Sequence, residues 1–232
     1  MYKFIALIPR RHDVSREFFQ NYYETQHTPL ALGYFRGFSK YLRNHVVEEL
    51  SGSAPDFDVF SGFWYESMGE LAKSGAFLES ELAPIIRDDE RQFMDQSRIR
   101  ALSTEEHLMF GNDRCFEAEA VKLVFAVKLA DSALAGDFLS SLKSHSNELV
   151  ANWDASRISC FMVQAGAEPN QWDAIVFAWL NVQESQSYEV PIALMSLVED
   201  HMLLKTRSIE TDLEDVYQNV PAKKGATNEL SV

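Results

Sequence analysis

The chain is short of several features that would point to a function. It has only two cysteines, Cys115 and Cys160, in 232 residues. That excludes a disulfide framework and makes a reducing cytosol the expected compartment. No apolar run approaches a membrane span; the longest covers only residues 174–180. The apolar start, residues 1–8, is too brief for a signal peptide and lacks a small-residue cleavage site. Basic residues are scarce, with 21 Lys and Arg against 35 Asp and Glu for a net charge of −14. Nucleic acid and anionic membranes both need clustered cations, so neither is an expected partner. The acid is spread over both halves and forms no charged tail. There is no Gly-rich phosphate loop, no Gly-x-Ser-x-Gly elbow and no His-Glu-x-x-His, which removes nucleotide, hydrolase and zinc-protease readings. Ser140-x-x-Lys143 lacks the companion boxes of an acylating serine site and is a chance match.

What the chain does have is 46% apolar residues, enough to build a core. Residues 2–9 read as a buried strand. A helix starts at Asp13 or Ser15 and carries Phe18, Phe19, Tyr22 and Tyr23 at helical spacing. Residues 38–47 alternate as a strand that puts Tyr41, Arg43 and His45 on one face. A turn at residues 51–55 leads into a strand over 57–65. A helical stretch from Met68 to about Asp95, broken at Pro84, precedes the last strand of this half, within 97–110.

The second half repeats this order. Lys3-Phe4-Ile5-Ala6 is answered by Lys122-Leu123-Val124-Phe125, and Phe38-Ser39-Lys40-Tyr41 by Ile158-Ser159-Cys160-Phe161. Asp58, six residues before Trp64, is answered by Asp173, six before Trp179, with a shortened turn near 166–171 absorbing the change of offset. A shared order with one localised deletion indicates a duplication. Each half is a βαββαβ pattern, the ferredoxin-like order. The expected fold is α+β: two tandem ferredoxin-like units packed sheet to sheet as an intramolecular αβ barrel, since each sheet needs a cover on its second face. Residues 1–112 form the first unit and 118–219 the second. Residues 220–232, with Lys223-Lys224-Gly225, read as a loose C-terminal tail.

The feature richest in chemistry is Glu24-Thr25-Gln26-His27-Thr28-Pro29-Leu30. Pro29 disfavours helix at the residue before it, so His27 is expected at the C-terminal end of the first helix, facing a cleft. An imidazole exchanges protons near neutral pH with little tuning. Glu24 and His27 also share metal-ligand spacing, but a di-iron site needs a second such motif and none stands in a matching helix, so no metal is expected. His107, on the last strand of the first half beside Glu105, is a second acid–base candidate. Trp64 and the aromatic residues Tyr23 and Tyr41 are candidate walls of a substrate pocket, and Arg43 a candidate partner for a developing oxyanion. Asp58 and Trp64 recur in the repeat, which favours a structural role.

Phe18 and Phe19, the His27-Thr28-Pro29-Leu30 run, Tyr41 and Asn44, and Asp58 to Trp64 together resemble the EthD family over residues 2–110. The resemblance implies a ferredoxin-like fold that pairs into a dimeric αβ barrel, with the second half here as the internal partner. It implies reactions on aromatic polyketides without metal or organic cofactor. The expected function is therefore a cofactor-independent lyase or isomerase (dehydratase, decarboxylase or tautomerase) on a small aromatic or polyketide-like compound, with His27 as general acid–base. The alternatives are a non-catalytic binding or accessory protein, and a cofactor-free or haem-linked oxygenase on the same scaffold. Barrels of this kind often pair again, so a homodimer of pseudo-dimeric chains is part of the expectation. Aligned on Phe18 and Phe138, the place of His27 falls at Asn147, with His145 nearby and no following proline. A histidine-based site therefore belongs to the first half.

Overall fold

The computed structural model describes residues 1–112, 117–164, 171–181, 188–219 and 221–227. Cys115 with its neighbours at 113–116, the shortened turn at 166–170 and the last five residues of the tail lie outside the described residues. In chain order the elements are β1 (Tyr2–Ile8), α1 (Arg16–Tyr22), α2 (Thr28–Tyr34), β2 (Lys40–Gly52), β3 (Val59–Tyr65), α3 (Met68–Leu78), α4 (Ala83–Glu90) and β4 (Arg100–Phe110). They continue with β5 (Glu119–Leu129), α5 (Ala135–Ser144), α6 (Ser146–Trp153), β6 (Ala155–Val163), β7 (Ala174–Leu180), α7 (Ile192–Met195), β8 (Val198–Glu210) and α8 (Leu213–Asn219). The fold is α+β, with antiparallel strand pairs. Two compact units share it: Met1–His45, Asp56–Ala101 and the described residues from Glu210 on form one, and Val46–Pro55 with the described residues of Leu102–Ile209 form the other.

In the first unit β3 lies between β1 and β2, antiparallel to both. Alternation along each strand sorts the side chains to two faces. Ala6, Ile8, Tyr41, Val59 and Tyr65 join Phe19, Tyr23, Phe77 and Ile86 from the helices, and Phe93 from the turn after α4, in one buried cluster. Ile5, Leu7, Leu42, Phe60 and Trp64 are buried on the other face. Each large apolar side chain removed from water contributes about 1.5–3 kcal/mol. Helix α1 starts where Ser15 accepts the Phe18 amide at 3.1 Å, which settles the cap on Ser15 rather than Asp13. The break in the long helical stretch falls before Pro84, which sits in the first turn of α4 where its missing N–H costs nothing.

The second unit runs β4–β6–β7–β5–β8, all antiparallel. Phe138, Leu142, Leu149 and Trp153 from α5 and α6 pack with Phe125, Val127, Ile158 and Val176 in a second cluster. The repeated sequence features are repeated in register. Lys3 stands opposite Trp64 and Lys122 opposite Trp179. The Asp58 amide donates to Ile8 O at 3.0 Å while its carboxylate accepts the Arg10 amide at 2.9 Å. Asp173 does the same with Val127 O at 2.8 Å and the Leu129 amide at 2.9 Å. Each aspartate locks the start of its strand to the end of the strand beside it.

The described part of the C-terminal tail is not loose. The Lys223 amide donates to Gly33 O at 2.8 Å, Thr227 Oγ1 accepts the Arg36 amide at 2.7 Å, and Ala226 and Thr227 are fully buried. Lysines and a glycine suggested solvent. The backbone groups they carry instead satisfy the C-terminal end of α2, whose last carbonyls and following amides need partners.

Candidate active site

The expectation that Pro29 ends the first helix is wrong in an instructive way. The backbone stays helical at His27 and Thr28, at φ −66°, ψ −50° and φ −58°, ψ −48°. What changes is the winding: Tyr23–His27 form one π-helical turn, in which the Thr28 amide reaches back to Tyr23 O. Proline has no amide hydrogen to give. Widening the turn by one residue re-pairs the neighbouring groups around that gap, and the helix resumes as α2. Such π-turns are frequent at functional sites. Tyr23 and His27 point inward from it, both buried.

His27 Nδ1 lies 2.6 Å from Asp89 Oδ2, with both side chains at most a tenth exposed. The other carboxylate oxygen, Oδ1, accepts the Tyr22 hydroxyl at 3.0 Å. Tyr23 meets the imidazole edge-on at 5.1 Å and Phe93 lies at 5.2 Å, so the ring cannot rotate freely. A carboxylate on one ring nitrogen fixes the tautomer and the orientation of the ring. Among the described residues Nε2 has no hydrogen-bond partner, and His27 lines a cavity.

The cavity measures about 540 Å³ and opens between the helices and the β1–β3–β2 sheet of the first unit. This is in the size range of sites for small organic ligands. Aromatic walls come from Tyr23, Phe35, Phe38, Tyr41, Phe63 and Tyr65. Polar atoms are few. The Tyr41 hydroxyl donates to the Tyr23 hydroxyl at 3.2 Å, which shares a hydrogen bond with Ser61 Oγ at 2.9 Å. Burial raises the pKa of all three cavity tyrosines, that of Tyr65 to about 12, so they stay protonated and can donate hydrogen bonds. Glu90, next to Asp89 on α4, also lines the cavity. Burial pushes its carboxyl pKa up, against a hydrogen bond from Gln96 Nε2 at 2.7 Å and the pull of His27.

A second buried cluster lies on the far side of Tyr23. Arg43 donates to Glu24 through Nη2 at 2.7 Å and Nε at 3.2 Å, and His45 Nε2 is 2.6 Å from Glu24 Oε1. Arg43 also donates to Thr211 Oγ1 and lies 4.5 Å over the Tyr41 ring. Desolvation raises the Glu24 pKa, but the hydrogen bonds from His45 and Arg43 outweigh it and bring it down to about 2. The Glu-x-x-His pair is thus split, Glu24 to Arg43 and His27 to Asp89. No group of three or more His, Cys, Asp or Glu is placed to hold a metal among the described residues.

Of the residues singled out from sequence, His27, Tyr23 and Tyr41 meet at the cavity. Arg43 lies beside Tyr41 but is not in the lining, and its charge is matched by Glu24. Trp64 stands on the opposite face of β3, with Lys40 Nζ 5.8 Å from its ring. His107 belongs to the second unit, partly exposed, 3.7 Å from Glu105. Asp89 and Glu90 were not anticipated. Ile86, Asp89 and Glu90 on α4 and Phe93 in the turn that follows it recur at helical spacing, and Ile86 and Phe93 are core. Two acids inside an apolar stripe was the signal available.

Residues 11–97 match the EthD domain model. That stretch is similar to EthD domains. The matched stretch holds His27, Asp89, Glu90 and both clusters' helices. No curated protein matches the chain. Among solved structures, an anthrone oxidase-like protein superposes with a TM-score of 0.60 at 8% identity, covering 91% of this chain and 93% of its own. A provisionally named monooxygenase from Fusobacterium nucleatum subsp. nucleatum gives 0.51 at 4% identity, covering 90% and 92%. Both likenesses extend the fold beyond the EthD-like stretch to nearly the whole chain, and they are likenesses of fold.

In the second unit the place of His27 has no such pair. His145 Nδ1 lies 2.8 Å from Ser141 O, at the junction of α5 and α6. Its neighbours Leu142, Leu149 and Trp153 are core.

Proposed function

We propose that the EthD-like stretch houses a proton-transfer site for a small aromatic or polyketide-like compound, with His27 as general acid–base. The observation that carries this reading is the His27–Asp89 pair at the wall of an aromatic cavity. Asp89 holds the Nδ1 proton, and the Nε2 lone pair removes a proton from carbon next to a carbonyl. The developing oxyanion takes a hydrogen bond from the protonated Tyr65 hydroxyl in the wall. Dehydration and tautomerisation begin this way, which is the lyase or isomerase reading. The proposal keeps residues 1–112 and 118–219 as tandem ferredoxin-like repeats, supported by the recurring Asp and Trp registers.

The test is hydrogen exchange in D₂O. A soluble aromatic hydroxyketone should gain deuterium next to its carbonyl, read by NMR, faster with the protein than without it. His27→Gln should lose that acceleration. If exchange persists in the variant, His27 is not the base. A compound that binds and never exchanges would favour the accessory-protein reading.

A second reading is supported by the names of the two fold neighbours, an anthrone oxidase-like protein and a monooxygenase. The same deprotonation gives an electron-rich enolate or phenolate that O₂ can attack. Oxygen uptake dependent on His27 would select this branch.

A further inference from the structure

Among the described residues the cavity lining offers no Lys or Arg to receive an anionic ligand, and its one imidazole and one carboxyl are those of His27 and Glu90. Arg43 is bound by Glu24, and Arg87 donates to Leu78 O at 2.6 Å. Even a protonated His27 brings no net positive charge, because Asp89 lies against its Nδ1. Glu90 adds either a neutral carboxyl or a second negative charge. Ser74 and the tyrosine hydroxyls are neutral.

We propose that the cavity selects uncharged ketones and phenols over the corresponding aromatic carboxylates, and that Glu90 is the specificity-determining residue. This rests on the cavity being the substrate site, and it narrows that site's chemistry: a bound aromatic acid awaiting decarboxylation is the substrate it rejects. A carboxylate entering would lose its hydration, meet no cation and face Glu90 from within an apolar wall. A ketone or phenol oxygen meets the Tyr65 hydroxyl in the wall instead.

The experiment compares the full chain's affinity for 2-naphthol, 2-naphthoate and methyl 2-naphthoate at neutral pH, by calorimetry. The naphthol and the ester should each bind more tightly than the carboxylate by about tenfold or more. Glu90→Gln, isosteric and uncharged, should shrink the gap between the two neutral ligands and the carboxylate, with an unaltered circular dichroism spectrum and thermal unfolding reporting that the variant is folded; an unchanged gap in the folded variant overturns the role given to Glu90. Equal or tighter binding of the carboxylate overturns the inference while leaving the cavity as the site. Rejection of the ester along with the acid also overturns it, because the discrimination is then one of shape. If none of the three binds, both this inference and the reading of the cavity as a substrate site fall.

Discussion

Asp89 Oδ2 approaches His27 Nδ1 to 2.6 Å across 62 residues of sequence. The pair joins a helix on one side of β2 and β3 in the chain to a helix on the other, and it converts an ordinary buried imidazole into an oriented one. Asp89→Asn keeps the shape but can present its amide N–H to the ring and favour the wrong tautomer. We expect Asp89→Asn and His27→Gln each to slow proton exchange by about 10²- to 10⁴-fold. The double variant should be little worse than His27→Gln alone, because groups acting as a unit are not additive. Single-turnover exchange rates of the four proteins check this; additive losses would separate Asp89 from the function of His27.

Glu24 makes the protein acid-sensitive. Its pKa is lowered from 4.5 to about 2 in the folded chain. A depressed carboxylate stabilises the fold above its unfolded pKa, and that stabilisation is lost as pH falls through the folded value. The contribution is about 3 kcal/mol at neutral pH and disappears between about pH 5 and pH 2. Urea unfolding followed by circular dichroism at several pH values should show this slope. Glu24→Gln should flatten it and also lower neutral stability by about 3–5 kcal/mol, because Arg43 is left buried without its charge partner.

Asp58 and Asp173 make matching contacts in their two units. Alanine at either position should cost about 1–3 kcal/mol, since a buried amide loses its acceptor. Neither change should alter the pH dependence of exchange at His27. A loss of exchange chemistry in folded Asp58→Ala would give that residue a role beyond locking the strand.

Trp64 and Phe93 separate pocket from core. Trp64 is buried on the face of β3 away from the cavity, so Trp64→Phe should reduce stability and leave naphthol affinity within about twofold. Phe93 packs at 5.2 Å from His27 and at 5.0–5.5 Å from Tyr22, Tyr23 and Phe19. Phe93→Ala should cost about 3–5 kcal/mol and free the imidazole to turn. Thermal unfolding with ligand titration distinguishes the two.

The strands of the first unit were legible because each depends on local pattern. Alternation in β2 puts Tyr41, Arg43 and His45 on one face, and all three are found on the side of Tyr23 and Glu24. The partners were less legible because they are set by packing between distant segments. Asp89 lies in an Asp-Asp-Glu run that reads as a solvated surface until Ile86 and Phe93 are seen to be core. Arg43 read as free charge because nothing local shows that Glu24, nineteen residues earlier, will claim it. The packing of Ala226 and Thr227 likewise depends on what α2 leaves unsatisfied.

The single π-turn at Tyr23–His27 means that the first helix carries one residue more than its own α-periodicity needs. Every side chain after it is advanced by about 100° relative to an unbroken α-helix. The site therefore exists as a phase error. Deleting Thr25 or Gln26 would let the segment wind as a plain α-helix, and the shorter chain could fold as well as the original. It would turn His27 out of line with Asp89, so a gap of one residue in an otherwise similar sequence would mark a relative that keeps the scaffold and has given up the chemistry.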